Sequence, residues 1–295
     1  MSQSGIAAAV AVAVLVVTAG CGAVGGPGGS GDDARTVNPA LRETPTATAT
    51  PTPGPPPGVG RGNVSVWVVT NAHEDALDGR SVTVRYRRTV VAANGTALAT
   101  VTETRRRDGD ALLYELRTGG ANPNAVAVPS WNASVWTNGT WTATRRVFGE
   151  RGPPGEDGSG GAVRYGTVDG RPAWSGVDGT GADLLRATLA PLTLEYAGTT
   201  TRGGERLFVL RATDAWAADG YPSGVSNVSL AAFVTADGVV RSYRLRYDAV
   251  YGGVRATSTA RFRVTGVGTT TVDRPAWVAD AVAAAANGSQ NVTAD

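Results

Sequence analysis
VVRSYRLRYDAVYGGVRATSTARFRVTG, residues 239–266, holds two runs of alternating apolar and polar side chains around Gly252-Gly253. In the second run Val254, Ala256, Ala260, Phe262 and Val264 fall on one side. Arg255, Thr257, Thr259, Arg261 and Arg263 fall on the other. A period of two marks a strand with one dry and one wet face. In the first run Tyr243, Leu245 and Tyr247 alternate with Arg244 and Arg246. A glycine pair between two such runs is a hairpin signal. Asp237-Gly238 supplies the same signal one strand earlier, after residues 228–236.

The pattern extends upstream. Val82, Val84 and Tyr86 alternate with Thr83, Arg85 and Arg87, and Asn94-Gly95 turns the chain into residues 97–104. A further strand is expected at 111–117. A hairpin about Asn138-Gly139 joins 131–137 to 140–148, and a shorter one about Asp169-Gly170 joins 162–168 to 171–175. Strands at 193–201 and 206–213 follow, and 214–224 reads as irregular, helical in part around Trp216.

Three stretches break this period. Residues 64–77 read as a helix with Val64, Val68, Ala72 and Ala76 on one face, stopped by Asp78-Gly79. Residues 182–192 place Leu184, Leu185, Thr188, Leu189 and Leu192 in a helical stripe, with Thr180 near the cap. A short helix over 275–286 opens on Pro275, with Trp277 available to dock it. Successive hairpins with one polar face need a cover for the dry one. The expected fold is α+β, mainly β: one curved antiparallel sheet, an open half-barrel, with two or three helices covering its concave face.

The N-terminus states location better than activity. Residues 6–17 are an unbroken run of small apolar side chains, too short to span a bilayer, which takes about 20 residues. Thr18-Ala19-Gly20 then precede Cys21, the only cysteine. The reading is a lipoprotein signal peptide over 1–20, with lipid carried on Cys21. Ordinary secretion with Cys21 incidental, or an uncleaved anchor, are the alternatives. Residues 21–60 then form a Gly-rich, later Thr/Pro-rich tether that cannot bury a core. The folded domain is expected over 61–286, with a flexible tail at 287–295. Seven Asn-x-Ser/Thr sequons, at Asn63, Asn94, Asn132, Asn138, Asn227, Asn287 and Asn291, make surface glycosylation an expectation for an exported chain.

Catalysis finds no support. Gly-x-Ser-x-Gly, a phosphate loop and a metal-ligand cluster are all missing from the sequence, and its one histidine, His73, reads as an ordinary residue of a helix face or surface. Glu74 and Asp75 are adjacent on a helix and point apart. No cofactor and no enzymatic activity are expected. The 27 basic residues are all arginine against 25 acids, and a net charge of +2 is too near zero to imply a polyanionic partner or nucleic acid. Arg85, Arg87 and Arg88, paired about the 94–95 turn near Arg105, Arg106 and Arg107, read as a solvated outer face.

The ending GVVRSYRLRYDAVYGGVRATSTARFRVTGVGTTTVDRPAWVADA, with the lipobox, the Thr/Pro stalk and the Pro56-Pro57-Gly58-Val59 segment, resembles a family of uncharacterised haloarchaeal cell-surface lipoproteins. That family is similar at fold level to the half-barrel lipoprotein carriers and the mycobacterial lipid-binding lipoproteins. The resemblance implies a hydrophobic cavity between sheet and helices, on the extracellular face of the cytoplasmic membrane. Its candidate lining is Val82, Val84, Tyr86, Tyr243, Leu245, Tyr247, Phe262 and Val264, lidded by Leu184, Leu185 and Leu189. The same residues serve equally as plain core. The partners then expected are the membrane, through Cys21, and a lipid or other hydrophobic small molecule. The alternative function is a non-catalytic envelope component contacting surface-layer protein or polysaccharide, with Trp131, Trp136 and Trp141 as candidate exposed rings that either stack on sugars or pair across their hairpin.

Overall fold
The computed structural model describes residues 54–60, 62–126, 128–149, 162–169, 177–212, 214 and 222–287. The expected signal peptide, Cys21, most of the expected tether, the strand expected at 171–175, Trp216 and Asn291 lie outside them. Eleven strands and three α-helices are present among the described residues. The first half runs α1 (Val66–Leu77), β1 (Val82–Ala92), β2 (Ala97–Asp108), β3 (Ala111–Gly119), β4 (Trp131–Thr137), β5 (Trp141–Phe148) and β6 (Val163–Asp169). The second runs α2 (Ala182–Leu189), β7 (Glu195–Arg202), β8 (Glu205–Ala212), β9 (Ser223–Val234), β10 (Val240–Tyr251), β11 (Val254–Thr265) and α3 (Trp277–Ala286).

All strands join one antiparallel sheet in the order β6-β5-β4-β3-β2-β1-β11-β10-β9-β8-β7. The chain lays six strands outward from β1, begins again at the far edge after α2, and works back until β11 pairs with β1. The sheet is therefore two meanders sharing a central seam, an open half-barrel. At the seam Tyr86 lies opposite Phe262 and Val84 opposite Val264, so the two period-two patterns fall in phase and bury one common face.

The first helix starts where Ser65 caps it, its hydroxyl accepting from the Val68 amide at 3.4 Å. Its buried residues are Val69, Thr70, His73 and Leu77, one position on from the expected stripe, and Val68 is exposed. The buried stripe includes His73, which is hydrogen-bonded to Val240 and Thr180 inside the core. The Pro56-Pro57-Gly58-Val59 segment packs against the start of α1, with Val59 bridging Val64. Gly58 has φ +79°, its carbonyl accepts from Ser65, and a Cβ there would meet Val68 and the Val69 amide at 2.9 Å.

The helices take different faces. Leu77, Leu185 and Leu189 join the main core with Val84, Tyr243 and Phe262, so α1 and α2 cover the inner face. By contrast α3 packs on β5 and β6, where Val278 and Ala281 form a second core with Leu113, Trp136 and Ala143. Those three residues sit opposite one another across β3, β4 and β5 and alternate with the inward Leu112, Val135 and Thr144. So α3 covers the outer face. Trp136 is only 8% exposed and meets Trp141 edge-on at 6.1 Å, which removes it as a sugar platform and makes the two rings a cross-hairpin pair.

Candidate functional site
The inner face contains a filled stretch and an open one. The filled stretch is the seam of β1, β11 and β10 beneath α1 and α2. Of the eleven candidate cavity residues, Val82, Val84, Leu185, Leu189, Tyr243, Leu245, Tyr247, Phe262 and Val264 are all at most 5% exposed, and Tyr86 and Leu184 are half-buried against them. Tyr243 stacks on Phe262 at 5.4 Å with nearly parallel rings, and its hydroxyl bonds Thr188 at 2.9 Å. Burial pushes the Tyr86 phenol up to about 12.

His73 is fully buried at the centre of this stretch, not at a surface. Its Nδ1 accepts from the Val240 amide at 3.0 Å, which leaves the proton on Nε2 to donate to the Thr180 carbonyl at 3.0 Å. One neutral imidazole thus ties α1 to β10 and to the segment that starts α2. Burial lowers its pKa, because a second proton would find no acceptor at Nδ1.

Where the filled stretch meets the open one stands Arg105, 2% exposed on β2. It donates from Nε to Glu103 at 2.7 Å, from Nη2 to Asp183 Oδ2 at 2.9 Å and from Nη1 to the Asp178 carbonyl at 2.9 Å. The Asp178 carboxylate accepts from the amides of Thr180, Gly181 and Asp183 at the start of α2. Burial raises its pKa, but these hydrogen bonds and the nearby Arg105 charge outweigh that and hold it below the usual range. Burial pushes Glu103 and Asp183 up against the pull of Arg105. The network pins α2 to the sheet. The expectation of a solvated basic face therefore fails for Arg105, which lies opposite Val84 and shares its inward side.

It fails for Arg88 as well. Arg88 points inward and donates to Ser258 at 3.2 Å, Tyr247 at 3.3 Å and Tyr251 at 3.0 Å, with its guanidinium over the Tyr251 ring. Arg85 and Arg87 do face out, across from Thr104 and Thr102.

The open stretch lies on β3, β4 and β5, away from the seam. An apolar pocket of about 140 Å³ is lined there by Leu112, Leu116, Trp131, Ala133, Val135 and Val177, with Tyr114 and Thr144. Arg146 stands at its edge with its guanidinium over the Trp131 ring at 5.3 Å, whereas Arg145, beside it on β5, alternates to the outer face. None of the eleven candidate residues lines it. Sequence reasoning placed the strand 111–117 without assigning its Leu112, Tyr114 and Leu116 a role. Their i, i+2, i+4 spacing is the signal that marks them as inward.

The sequons divide by environment. Asn94 and Asn138 are exposed at hairpin tips, each turning its Oδ1 to a backbone amide two residues on. Asn63 and Asn287 are exposed. The exposed Asn227 donates its amide to Asp248 at 2.8 Å, and the half-buried Asn132 accepts from the Thr118 amide at 2.8 Å.

Among the described residues no helix is long and apolar enough to cross a membrane, and no cluster of three His, Cys, Asp or Glu is placed to hold a metal. No protein-family model matches the chain, and no curated protein matches it in sequence. Solved structures with a similar chain trace include LprF from Mycobacterium bovis, with 12% identity and TM-score 0.34 over 73% of this chain and 98% of that one. The Mycobacterium tuberculosis lipoprotein LppX has 10% identity and TM-score 0.31 over 70% and 97%. A LolA superfamily protein from Nitrosomonas europaea has 10% identity and TM-score 0.23 over 72% and 96%. At these identities the likeness is one of fold alone.

Proposed function
We propose that this is a non-catalytic, extracytoplasmic lipoprotein, anchored through lipid on Cys21 and raised by the 21–60 tether, whose domain binds a hydrophobic ligand on its inner face. The observation that carries the reading is the apolar pocket on β3–β5, the part of the inner face on which no helix packs among the described residues. Its volume of about 140 Å³ is close to that of a cavity that accepts one benzene, roughly 150 Å³. It suits a stretch of one hydrocarbon chain and is too small for a whole two-chain lipid. Arg146 at the edge suits an anionic head, so a single-chain amphiphile such as a fatty acid is the ligand class of choice.

The test is native mass spectrometry of the full chain in mild detergent, stripped of lipid and reloaded with palmitate. One bound palmitate is expected, with loss of binding in Ala133→Trp, which fills the pocket from β4. Equal loading of Ala133→Trp, or no loading of either protein, overturns the reading. For the anchor, the membrane-fraction protein should carry an acyl or ether lipid mass that Cys21→Ser lacks.

A further inference from the structure
The outer face of the seam carries a feature that ligand binding on the inner face does not use. Arg85 and Arg87 on β1, Arg261 and Arg263 on β11, and Arg244 and Arg246 on β10 all point outward and are exposed. The register sets like charge against like: Arg85 opposite Arg263, Arg87 opposite Arg261, and Arg261 in turn opposite Arg244. Adjacent strands lie about 4.8 Å apart, and like charges directly opposite destabilise a sheet. Among the described residues none of the six side chains forms an ion pair or a hydrogen bond. Asp248 feels Arg246, but its oxygens are taken by Thr257 and Asn227. Exposed arginines elsewhere on this face do find acids, as Arg106 and Arg117 do at Glu115.

The cluster is also shaped. Arg87, Arg244, Arg246 and Arg261, with the hydroxyls of Thr89 and Thr259, line a trough of about 640 Å³. A row of guanidinium groups along a trough complements a linear chain bearing carboxylates or sulfates, each of which a guanidinium can grip with two hydrogen bonds. A bilayer is flat and would meet only the crests, and the apolar residues that line the trough, Val91, Ala92 and Ala93, are too small to anchor in it. We infer that the outer face of the β1–β11–β10 seam is a binding surface for an acidic polysaccharide, with Arg87, Arg244 and Arg261 as its central contacts.

The full chain in mild detergent is titrated with polygalacturonate, dextran sulfate and neutral dextran at about 50 mM salt, where the Debye length exceeds 10 Å. Binding to the two acidic chains and not to neutral dextran is expected, and it weakens steeply as salt rises, as counterion release requires. Arg87→Gln/Arg244→Gln/Arg261→Gln should lose about tenfold or more in affinity. Its melting temperature should hold or rise as the like-charge row is relieved. Arg80→Gln/Arg117→Gln/Arg274→Gln removes the same charge elsewhere and should keep near-native affinity. Equal loss in both triple variants, no binding of either acidic chain, or displacement of polygalacturonate by short-chain phosphatidylglycerol at matched charge overturns the inference. None of these outcomes depends on whether the inner pocket takes palmitate.

Discussion
The two stretches of the inner face are built from the same kind of strand, yet among the described residues only one of them is packed under helices. On the seam, Tyr243, Leu245, Phe262, Val84 and Val264 meet Leu185, Leu189 and His73 from the helices, and each is at most 5% exposed. On β3–β5 the inward residues Leu112, Leu116 and Val135 are equally apolar and are themselves only 3–8% exposed, but among the described residues no helix lies over them, and a pocket of about 140 Å³ is left beside them. The third helix, which might have closed it, packs on the other side of those strands around Trp136. Whether an apolar strand face becomes core or site is decided by where the helices dock, and docking is set by residues such as Arg105 and His73.

If that contrast is sound, truncation should be far more costly on the seam. Phe262→Ala should cost about 3–5 kcal/mol in chemical denaturation, and Leu116→Ala about 2 kcal/mol or less, because the space beside Leu116 is already open. Equal costs would erase the distinction. Arg105→Met tests the border and should also cost about 3–5 kcal/mol, since it leaves Glu103 and Asp183 buried without their cation. A smaller loss would mean that α2 is held by its leucines alone.

Adding bulk should separate the stretches in the same sense. Ala260→Leu, opposite Leu245, should cost about 1–3 kcal/mol by overpacking, and Ala133→Leu should stay within about 0.5 kcal/mol. The smallest effect is the pH response of His73. Its folded pKa lies below the unfolded value of 6.5, so its contribution is complete above pH 6.5 and is lost as pH falls below it. The slope is at most about 1.4 kcal/mol per pH unit. His73→Gln, which can keep both hydrogen bonds without titrating, should flatten the stability profile between pH 5 and 7 relative to the native chain.

Much of the fold was legible because its signals are local. Asn94-Gly95, Asn138-Gly139, Asp237-Gly238 and Gly252-Gly253 all turn hairpins, with the glycine in the second place of each at positive φ, as the turn chemistry demands. Helices were found from stripe and cap within a few residues. What was not legible depends on pairing across the chain. Nothing near residue 82 announces that β1 pairs with β11, yet that pairing makes one inner core and puts Arg87, Arg261 and Arg244 in one row. A net charge of +2 averages over that row and over the acids elsewhere. His73 read as unremarkable because its two partners, Val240 and Thr180, are more than 100 residues away. Arg105 carried a fainter clue in Glu103, since opposite charges two apart on a strand share a face, and on this strand that face is the inner one.

The most direct test of the open stretch is quenching of Trp131, the tryptophan that lines the pocket, by a chain-brominated fatty acid. The full chain should show saturable quenching, and Trp131→Phe should lose the saturable component while melting at a similar temperature. Identical quenching of both proteins would place the hydrocarbon elsewhere, and no saturable quenching in either would mean that the inner face is core throughout.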